Sequence, residues 1–248
     1  MPKSNTQFSK DLMAWYRRHK RDLPWRHTSD PYHIWISEIM LQQTTVKTVI
    51  PYYERWITKY PTIRHVARAP VQNVLKQWQG LGYYQRARNI HKCAKVICSD
   101  HLGIIPDSVS GLKKLPGFGP YTIGAVLSIA YDKKLPLVDA NVRRVMMRFL
   151  AIQGYADPSQ DQKILRFLEK SLPSKNVGNF NQALMELGAL ICRNQNPLCL
   201  SCPMKRECQG YLKGIQDIIP SLKKKIIREV HVSIGVMQKQ GKFFMKAC

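Results

Sequence analysis

The chain has 248 residues, of which 44% are hydrophobic, which is enough for one large or two modest domains with a real core. Lysine and arginine number 39 against 16 acidic residues, and the net charge of +23 predicts strong, salt-sensitive attraction to nucleic acid. The sequence has no long apolar segment, lipidation signal or signal-peptide core. We therefore expect no membrane partner and an intracellular protein, in the cytoplasm or at the nucleoid, with nuclear or organellar sites left open.

The second of the first two predicted helices contains an acidic residue, Glu38. Residues 7 to 20 have helical periodicity, and Leu23-Pro24-Trp25-Arg26 ends that helix. Asp30-Pro31 suits the start of a second helix, from Tyr32 to about Thr44, which is apolar nearly all round and hence buried. Burial of Glu38 inside that run would raise its pKa and let it hold a proton near neutral pH, whereas pairing with an arginine is the alternative.

A loop rich in glycine and tyrosine interrupts the next helical segments. Further helices are predicted over residues 46–60, 66–78 and 86–98. The loop Gly80-Leu81-Gly82-Tyr83-Tyr84 precedes Arg86 and Arg88. This pattern fits a wedge whose rings stack on DNA bases while the cations meet phosphates, or else two tyrosines packed into the core.

The segment from residue 109 to 130 predicts a helix, a hairpin and a second helix. Its turn is Leu115-Pro116-Gly117-Phe118-Gly119, and Pro120 suits the first position of the following helix. Gly117 and Gly119 can adopt backbone angles that a side chain forbids, and they let another backbone approach closely. Free N–H groups at such a helix start form an anion site, and in a basic protein the anion suits a DNA phosphate; an ordinary helix–helix turn is the alternative.

A second acidic residue follows the hairpin. Asp139 lies between an apolar run and Asn141, and it suits the N-cap of a helix over residues 140–151, a role compatible with catalysis. Two more helices are predicted over residues 161–172 and 180–191. No strand hairpin, repeat or low-complexity tract occurs before this point, so the body of the protein is expected to be all-α.

Four of the seven cysteines are clustered after the last helix. They have the spacing C-x6-C-x2-C-x5-C and are Cys192, Cys199, Cys202 and Cys208. Four thiolates in one short loop of an intracellular protein can enclose a soft metal centre, for which zinc is the default. Arg193, Lys205 and Arg206 add positive charge to the loop, which suits a basic surface facing DNA.

Together these segments resemble the helix-hairpin-helix DNA glycosylase superfamily that includes endonuclease III, and most closely the MutY-type adenine DNA glycosylases. The resemblance covers residues 7 to 215. Besides the hairpin and the cysteines, it is carried by Leu23-Pro24-Trp25-Arg26, Ser37-Glu38-Ile39-Met40-Leu41-Gln42-Gln43-Thr44, Gly80-Leu81-Gly82-Tyr83-Tyr84 and Val138-Asp139-Ala140-Asn141-Val142. It implies an all-α, two-lobed glycosylase fold, and the cysteine loop looks like the [4Fe–4S] loop of such enzymes.

The resemblance also implies a domain plan. A helical catalytic region is expected over residues 1–215. Its parts are a central lobe at about 30–135 with the hairpin at 109–130, a second lobe from 7–29 and 136–191, and the iron–sulfur loop at 192–208. Residues 216–229, which include Lys223-Lys224-Lys225, are expected to form a basic linker that touches DNA.

The C-terminal residues have a different pattern. Val230, Val232, Ile234 and Val236 alternate with other residues before a predicted turn at Gln240-Gly241, which indicates the first hairpin of a β domain. MutY proteins begin a Nudix-like domain here. Because the sequence ends at Cys248, we expect residues 230–248 to be the truncated start of that domain, through truncation, an interrupted gene or a shortened natural form.

Roles for the site residues follow from the resemblance. Glu38 would protonate a flipped adenine at N7, and Asp139 would stay ionised and stabilise the oxocarbenium-like sugar. Tyr121 would hydrogen-bond into this pair, and Asn141 would position Asp139 or a nearby phosphate. Tyr121 stands where bifunctional relatives place a Schiff-base lysine, so base removal without efficient strand cleavage is expected.

Weaker assignments concern the DNA contacts. Gln43 and Tyr83 would wedge the duplex, and the residues of the adenine pocket would be Trp25, Arg26, Leu41 and Gln182. Ala140 departs from the family's usual glycine. The implied partner is double-stranded DNA with adenine opposite 8-oxoguanine or guanine, bound by a monomer.

Two other functions remain open. One is a thymine glycosylase for T·G mismatches, which also carries a tyrosine in the hairpin but which Met40-Leu41-Gln42-Gln43-Thr44 disfavours. The other is a DNA-binding remnant with weakened catalysis, which the retained Glu38, Tyr121 and Asp139 disfavour.

Overall fold

The computed structural model describes residues 5–221 and 238–243, and this part of the chain is predominantly helical. The helices are α1 (Asn5–His19), α2 (Pro31–Leu41), α3 (Val46–Lys59), α4 (Ile63–Arg68), α5 (Val71–Trp78), α6 (Gln85–Asp100), α7 (Val109–Lys113), α8 (Pro120–Tyr131), α9 (Ala140–Phe149), α10 (Asp161–Ser171), α11 (Val177–Leu190) and α12 (Gln209–Leu212). Short 3-10 turns cover Pro24–Arg26, Pro158–Gln160 and Cys199–Ser201. The predicted all-α body is confirmed.

Two clusters of buried hydrophobic side chains correspond to two lobes. One is formed by residues between Leu23 and Leu127, and it contains the fully buried Trp35, Trp56 and Trp78. The other joins α1 to residues from the middle of α8 onward. Each large side chain removed from water contributes about 1.5–3 kcal/mol, so each cluster holds its helices together. Helix α8 contributes to both clusters and thus connects the lobes, which confirms the two-lobed fold.

Helix α2 begins as the sequence predicts. The Asp30 carboxylate accepts the N–H of Tyr32 at 2.7 Å, and Pro31 occupies the first helical position. Eight of its 11 residues are buried, among them Glu38, because α2 packs against α3, α6 and α8. The helix ends at Leu41, earlier than predicted.

The predicted helix over residues 66–78 is wrong, because the structure has two helices there. Helix α4 ends at Arg68 and α5 begins at Val71. Ala69 between them is extended, with ψ 143°. The ring of Pro70 clashes with a helical conformation of the preceding residue, so the proline divides the segment.

The hairpin has the predicted helix on each side, since Ser108 caps α7 and Pro120 begins α8. Gly117 has φ +86°, in the left-handed region, as predicted. Gly119 does not use this freedom, because its φ of −84° is open to any residue. Gly119 is the extended N-cap of α8, and nothing lies within 4 Å of the Cβ that a larger residue would place there.

A short antiparallel hairpin lies near the C-terminus. Strands β1 (Gln238–Lys239) and β2 (Lys242–Phe243) pair through the predicted turn, where Gln240 and Gly241 have φ +48° and +73°. The other predicted features of this region lie outside the described residues: Lys223, Lys224, Lys225, Val230, Val232, Ile234 and Val236. Across residues 5–221 and 238–243, no helix has both the length and the hydropathy needed to cross a bilayer.

Candidate active site

A cavity of about 840 Å³ is lined by residues of both lobes. Helices α2, α8, α9 and α11 and the Pro24–Arg26 turn all contribute to its wall. It brings together nine residues that the sequence singled out: Trp25, Arg26, Glu38, Leu41, Gln43, Tyr121, Asp139, Asn141 and Gln182. Residues that lie far apart in the chain therefore share one site.

Glu38 points from α2 into this cavity and is only 5% exposed. Tyr121, on α8, donates its hydroxyl proton to Glu38 Oε2 at 2.5 Å. Burial raises the pKa of Glu38 to about 7, although the hydrogen bond from Tyr121 opposes the rise. Among the described residues no arginine forms an ion pair with Glu38. The expected raised pKa is confirmed, and the alternative of an arginine partner is wrong.

Asp139 is the N-cap of α9, as predicted. Its Oδ1 accepts the N–H of Val142 at 2.6 Å, and its Oδ2 accepts the Asn141 side-chain amide at 3.2 Å. Burial raises the pKa of Asp139, while these two hydrogen bonds and the charge of Arg144 lower it. Two donors therefore stabilise the anionic form of Asp139, whereas Glu38 accepts a hydrogen bond only from the Tyr121 hydroxyl among the described residues.

A third carboxylate, that of Glu186, also lines the cavity. Glu186 is 1% exposed and accepts hydrogen bonds from Arg21 Nη2 at 2.7 Å and Arg26 Nη2 at 2.9 Å. Burial alone would raise the pKa of Glu186, but the hydrogen bonds from the two guanidinium groups overcome it and lower the pKa to about 2. Arg26 also donates to Gln182 Oε1 at 3.2 Å. Of the predicted base-pocket residues, Arg26 is thus held by an ion pair with Glu186, and Gln182 is held by Arg26.

The four clustered cysteines line one small cavity of about 30 Å³ next to α9. Arg148 closes this cavity, and it donates to Cys192 Sγ at 3.5 Å and to the Asn194 carbonyl at 2.9 Å. Burial, followed by the neighbouring cysteines, raises the pKa of Cys202 to about 12, so a cationic centre is needed to hold these groups as thiolates. The four thiols that share this cavity form a donor set that fits a soft metal centre, since both zinc and iron–sulfur clusters are held by such cysteines.

The proposed wedge loop lies outside the large cavity. Tyr83 is 62% exposed and has φ +50°, so it is not a core residue. Gln43 reaches the cavity wall and also has a left-handed conformation, with φ +58°. Arg86 is not free to meet phosphates as expected, because it hydrogen-bonds to the protein's own carbonyl groups. Gly117 lines a separate small cavity beside Arg86.

Comparisons with known proteins agree with this geometry. The family model described as HhH-GPD superfamily base excision DNA repair protein matches residues 36–173. The adenine DNA glycosylase of Buchnera aphidicola subsp. Schizaphis graminum is 40% identical over 242 residues, covering 96% of this chain and 70% of that protein. The adenine DNA glycosylase of Homo sapiens is 41% identical over 224 residues, covering 86% of this chain and 41% of that protein.

The chain belongs to the adenine DNA glycosylase family. It is thus a base excision DNA repair enzyme of the HhH-GPD superfamily. A solved thermostable thymine-DNA glycosylase shares its fold with a TM-score of 0.75 and 32% identity, covering 84% of this chain and 97% of that chain. An endonuclease III–DNA complex, with TM-score 0.71 and 24% identity over 86% of this chain and 99% of that chain, supports the fold alone.

Three residues in or next to the site were not predicted from the sequence, namely Glu186, Arg21 and Arg144. Glu186 had a signal, because Gln182, Met185, Glu186 and Ala189 follow helical spacing on α11 and all line the cavity. No feature of the sequence distinguishes Arg21 and Arg144 from the other members of its 39 basic residues. Arg144 donates to Asn141 Oδ1 at 2.8 Å and to the Cys192 carbonyl at 2.9 Å, which links the acid site to the cysteine loop.

Proposed function

We propose that this chain removes adenine from duplex DNA by hydrolysing its N-glycosidic bond, and that the substrate is adenine opposite 8-oxoguanine or guanine. The observation that carries the proposal is the arrangement of Glu38, Tyr121 and Asp139 in one cavity. One carboxyl group has a pKa near 7 and the other is surrounded by hydrogen-bond donors. This pair suits an acid and an anion acting on one glycosidic bond.

The adenine has to leave the stack before it can reach these groups. Its base enters the cavity and contacts Trp25, Arg26, Leu41 and Gln182. Gln43 and Tyr83 fill the gap left in the duplex, as side chains inserted between bases do. The N–H groups of the hairpin at Gly117 and Gly119 bind the phosphate backbone at the positive end of α8. DNA is therefore held on both sides of the opened pair.

The bond is broken by proton transfer and charge stabilisation. Glu38 donates its proton to N7, and the electron pair of the bond between N9 and C1′ leaves with the adenine. The Asp139 carboxylate stabilises the resulting oxocarbenium-like sugar, by its charge or through a transient covalent bond, until water adds to C1′ and loses a proton. Asn141 keeps Asp139 in place through its amide.

Tyr121 determines what happens afterwards. Its hydroxyl hydrogen-bonds to Glu38 and to the sulfur of Met185 at 3.4 Å. A phenol cannot form the Schiff base with the sugar that strand cleavage by lysine requires. The product is thus an intact strand with an abasic site.

The cysteine loop holds a [4Fe–4S] cluster in this proposal. Its ligands are Cys192, Cys199, Cys202 and Cys208, and the cluster would supply a structural centre for a basic loop that faces DNA. A purified chain is expected to contain iron and acid-labile sulfide in equal amounts, about four of each. One zinc per chain and no sulfide would contradict the cluster.

A second candidate is a thymine glycosylase for T·G mismatches. It is favoured by the likeness to a solved thymine-DNA glycosylase at 32% identity. The Buchnera and human relatives, at 40% and 41% identity, are adenine DNA glycosylases and favour the first candidate. A DNA-binding remnant without catalysis does not require the buried acid that this cavity retains.

The deciding experiment measures base release in single turnover, followed by alkali, on three duplexes. They carry A opposite 8-oxoguanine, A opposite guanine and T opposite guanine. Cleavage of the A-containing strands only after alkali is expected. In the cell, the proposal places the protein as a monomer on chromosomal DNA in the cytoplasm. Release of thymine would favour the second candidate, and no release from any duplex would favour the remnant.

A further inference from the structure

Arg86, on the first turn of α6, contacts two segments that are distant in sequence. Its Nη1 donates to the carbonyl oxygens of Ile39 at 2.9 Å, Met40 at 2.9 Å and Gln42 at 2.6 Å. Its Nη2 donates to Thr44 Oγ1 at 3.3 Å and to the carbonyl oxygens of Leu81 at 3.2 Å and Gly82 at 3.3 Å. One guanidinium group thus bridges the end of α2 and the loop 80–84.

These hydrogen bonds satisfy carbonyl groups at the end of α2 and hold the loop 80–84 in place. The last carbonyl groups of a helix have no partner within the helix, and a cation there is favoured by the helix dipole. The loop contains Tyr83, whose ring centroid lies 5.4 Å from the guanidinium carbon, while the ring of Trp78 lies 5.2 Å away. Arg86 therefore holds the loop by its carbonyl groups and by a ring.

The two segments have one further property in common. Each carries a non-glycine residue in the left-handed region, Gln43 at φ +58° and Tyr83 at φ +50°. Such conformations persist only where surrounding contacts fix them. The acceptors of Arg86 are immediate neighbours of both residues, since Gln42 and Thr44 flank Gln43 and Gly82 precedes Tyr83.

We propose that Arg86 is a positioning residue for base extrusion. It fastens Gln43 and Tyr83, the two side chains that enter the duplex, to the end of the helix that carries Glu38. Insertion into the gap and delivery of the base to the acid then take place in one fixed geometry. The inference rests on the proposed function, and it concerns the step before the bond is broken.

The test compares two duplexes that differ in the cost of extrusion. In one the adenine faces 8-oxoguanine, and in the other it faces an abasic site, where an unpaired base is cheaper to extrude. Arg86→Gln is expected to lower single-turnover release about tenfold to a hundredfold on the first duplex and less than about threefold on the second. Arg86→Lys keeps the charge without the planar fork and is expected to give an intermediate loss on the first duplex.

A matched control separates extrusion from charge and folding. Arg88→Gln removes the same charge from an exposed position on α6, and any loss is expected to be equal on the two duplexes. If Arg86→Gln fails to fold, Arg86→Lys serves in its place. An equal loss on both duplexes, or no loss on either, would overturn the proposal.

Fluorescence of 2-aminopurine, placed at the target position, reports extrusion without any bond breaking. Wild-type protein is expected to raise the fluorescence and Arg86→Gln to raise it less, at saturating protein. Equal increases would overturn the proposal. This signal distinguishes the two failures, because a wild type that extrudes the base but releases no adenine contradicts the proposed function and leaves the role of Arg86 open to measurement.

Discussion

Glu38 and Glu186 lie in the walls of one cavity and are buried to a similar degree, with exposures of 5% and 1%. Their pKa values move in opposite directions, to about 7 for Glu38 and to about 2 for Glu186. Burial acts on both, so it does not explain the difference. Glu186 has two guanidinium partners, whereas Glu38 has a single neutral donor, Tyr121.

The comparison shows how one cavity contains a carboxyl group that holds its proton up to about pH 7 and a carboxylate that stays ionised down to about pH 2. Glu186 offsets part of the positive charge of Arg21 and Arg26, which reduces the lowering effect of that charge on the pKa of Glu38. Burial raises the pKa of Asp139, and the hydrogen bonds from Val142 and Asn141 oppose that rise. The ion pairs of Glu186 thus favour the protonated form of Glu38 in the same cavity.

The largest expected effect comes from removing the acid. Glu38→Gln keeps the shape of the side chain but has no proton to donate to N7, so excision should fall by about a thousandfold while binding to the mismatch stays nearly unchanged. Single-turnover release and a binding titration measure the two quantities. Glu54→Gln, at an exposed position on α3, is the control and should behave like wild type. Unchanged excision by Glu38→Gln would refute the acid role.

Removing the anion should have a somewhat smaller effect. Asp139→Asn keeps the cap of α9, since asparagine is an equally good N-cap, but loses the charge that stabilises the sugar. We expect a loss of excision of about a hundredfold or more and an unchanged Tm. Asp30→Asn makes the same change at the cap of α2, outside the cavity, and should retain activity. Wild-type turnover by Asp139→Asn would contradict its assignment.

Substitution of the two glutamates should change the free energy of unfolding of the protein in opposite directions. Glu186→Gln leaves the partly buried guanidinium groups of Arg21 and Arg26 without their anion and should cost about 3 kcal/mol at pH 7. Glu38→Gln should instead stabilise the protein at about pH 8 by about 1–3 kcal/mol, because a folded-state pKa near 7, raised from 4.5, makes ionised Glu38 a cost above that pH. Urea unfolding measures both, and shifts of the same sign would break the comparison.

The same link between pKa and stability predicts how the contribution of Glu186 changes at acidic pH. Its folded-state pKa is depressed from 4.5 to about 2, so its contribution is present above about pH 4.5 and is lost as the pH falls toward 2. Wild type should therefore lose stability in this window more steeply than Glu186→Gln.

The smallest expected effect is a gain of a new reaction. Tyr121→Lys places an amine beside Glu38, and a small fraction of the protein should form an imine with the sugar and nick the strand. Borohydride trapping detects that imine as a covalent protein–DNA adduct. Tyr121→Phe has no amine and should give none. Absence of an adduct with lysine would mean that C1′ is out of its reach.

Local sequence signals predicted the elements that position the site. Asp30-Pro31 and Pro120 gave two helix starts, and the apolar run around Glu38 gave its burial. The segment around Pro70 was mispredicted because apolar periodicity continues across the proline. Gly119 shows a further limit, since a glycine in sequence does not reveal which backbone region it adopts.

Long-range contacts could not be predicted in this way. Glu186 pairs with Arg21 across 165 positions, and Arg86 reaches Ile39 across 47. In a chain with 39 basic residues, nothing local marks which arginine bonds inward and which faces DNA. The expectation that Arg86 meets phosphates was wrong for this reason.

The pH dependence of adenine release tests the central claim, that Glu38 acts as the proton donor, most directly. Single-turnover rates would be measured from about pH 5 to about pH 9 for wild type and Tyr121→Phe. The wild-type rate should fall above about pH 7, where Glu38 loses its proton. Because the Tyr121 hydrogen bond lowers the pKa of Glu38, its removal should move that fall to higher pH. A wild-type rate that is level across pH 7, or a fall at the same pH in both proteins, would contradict the account.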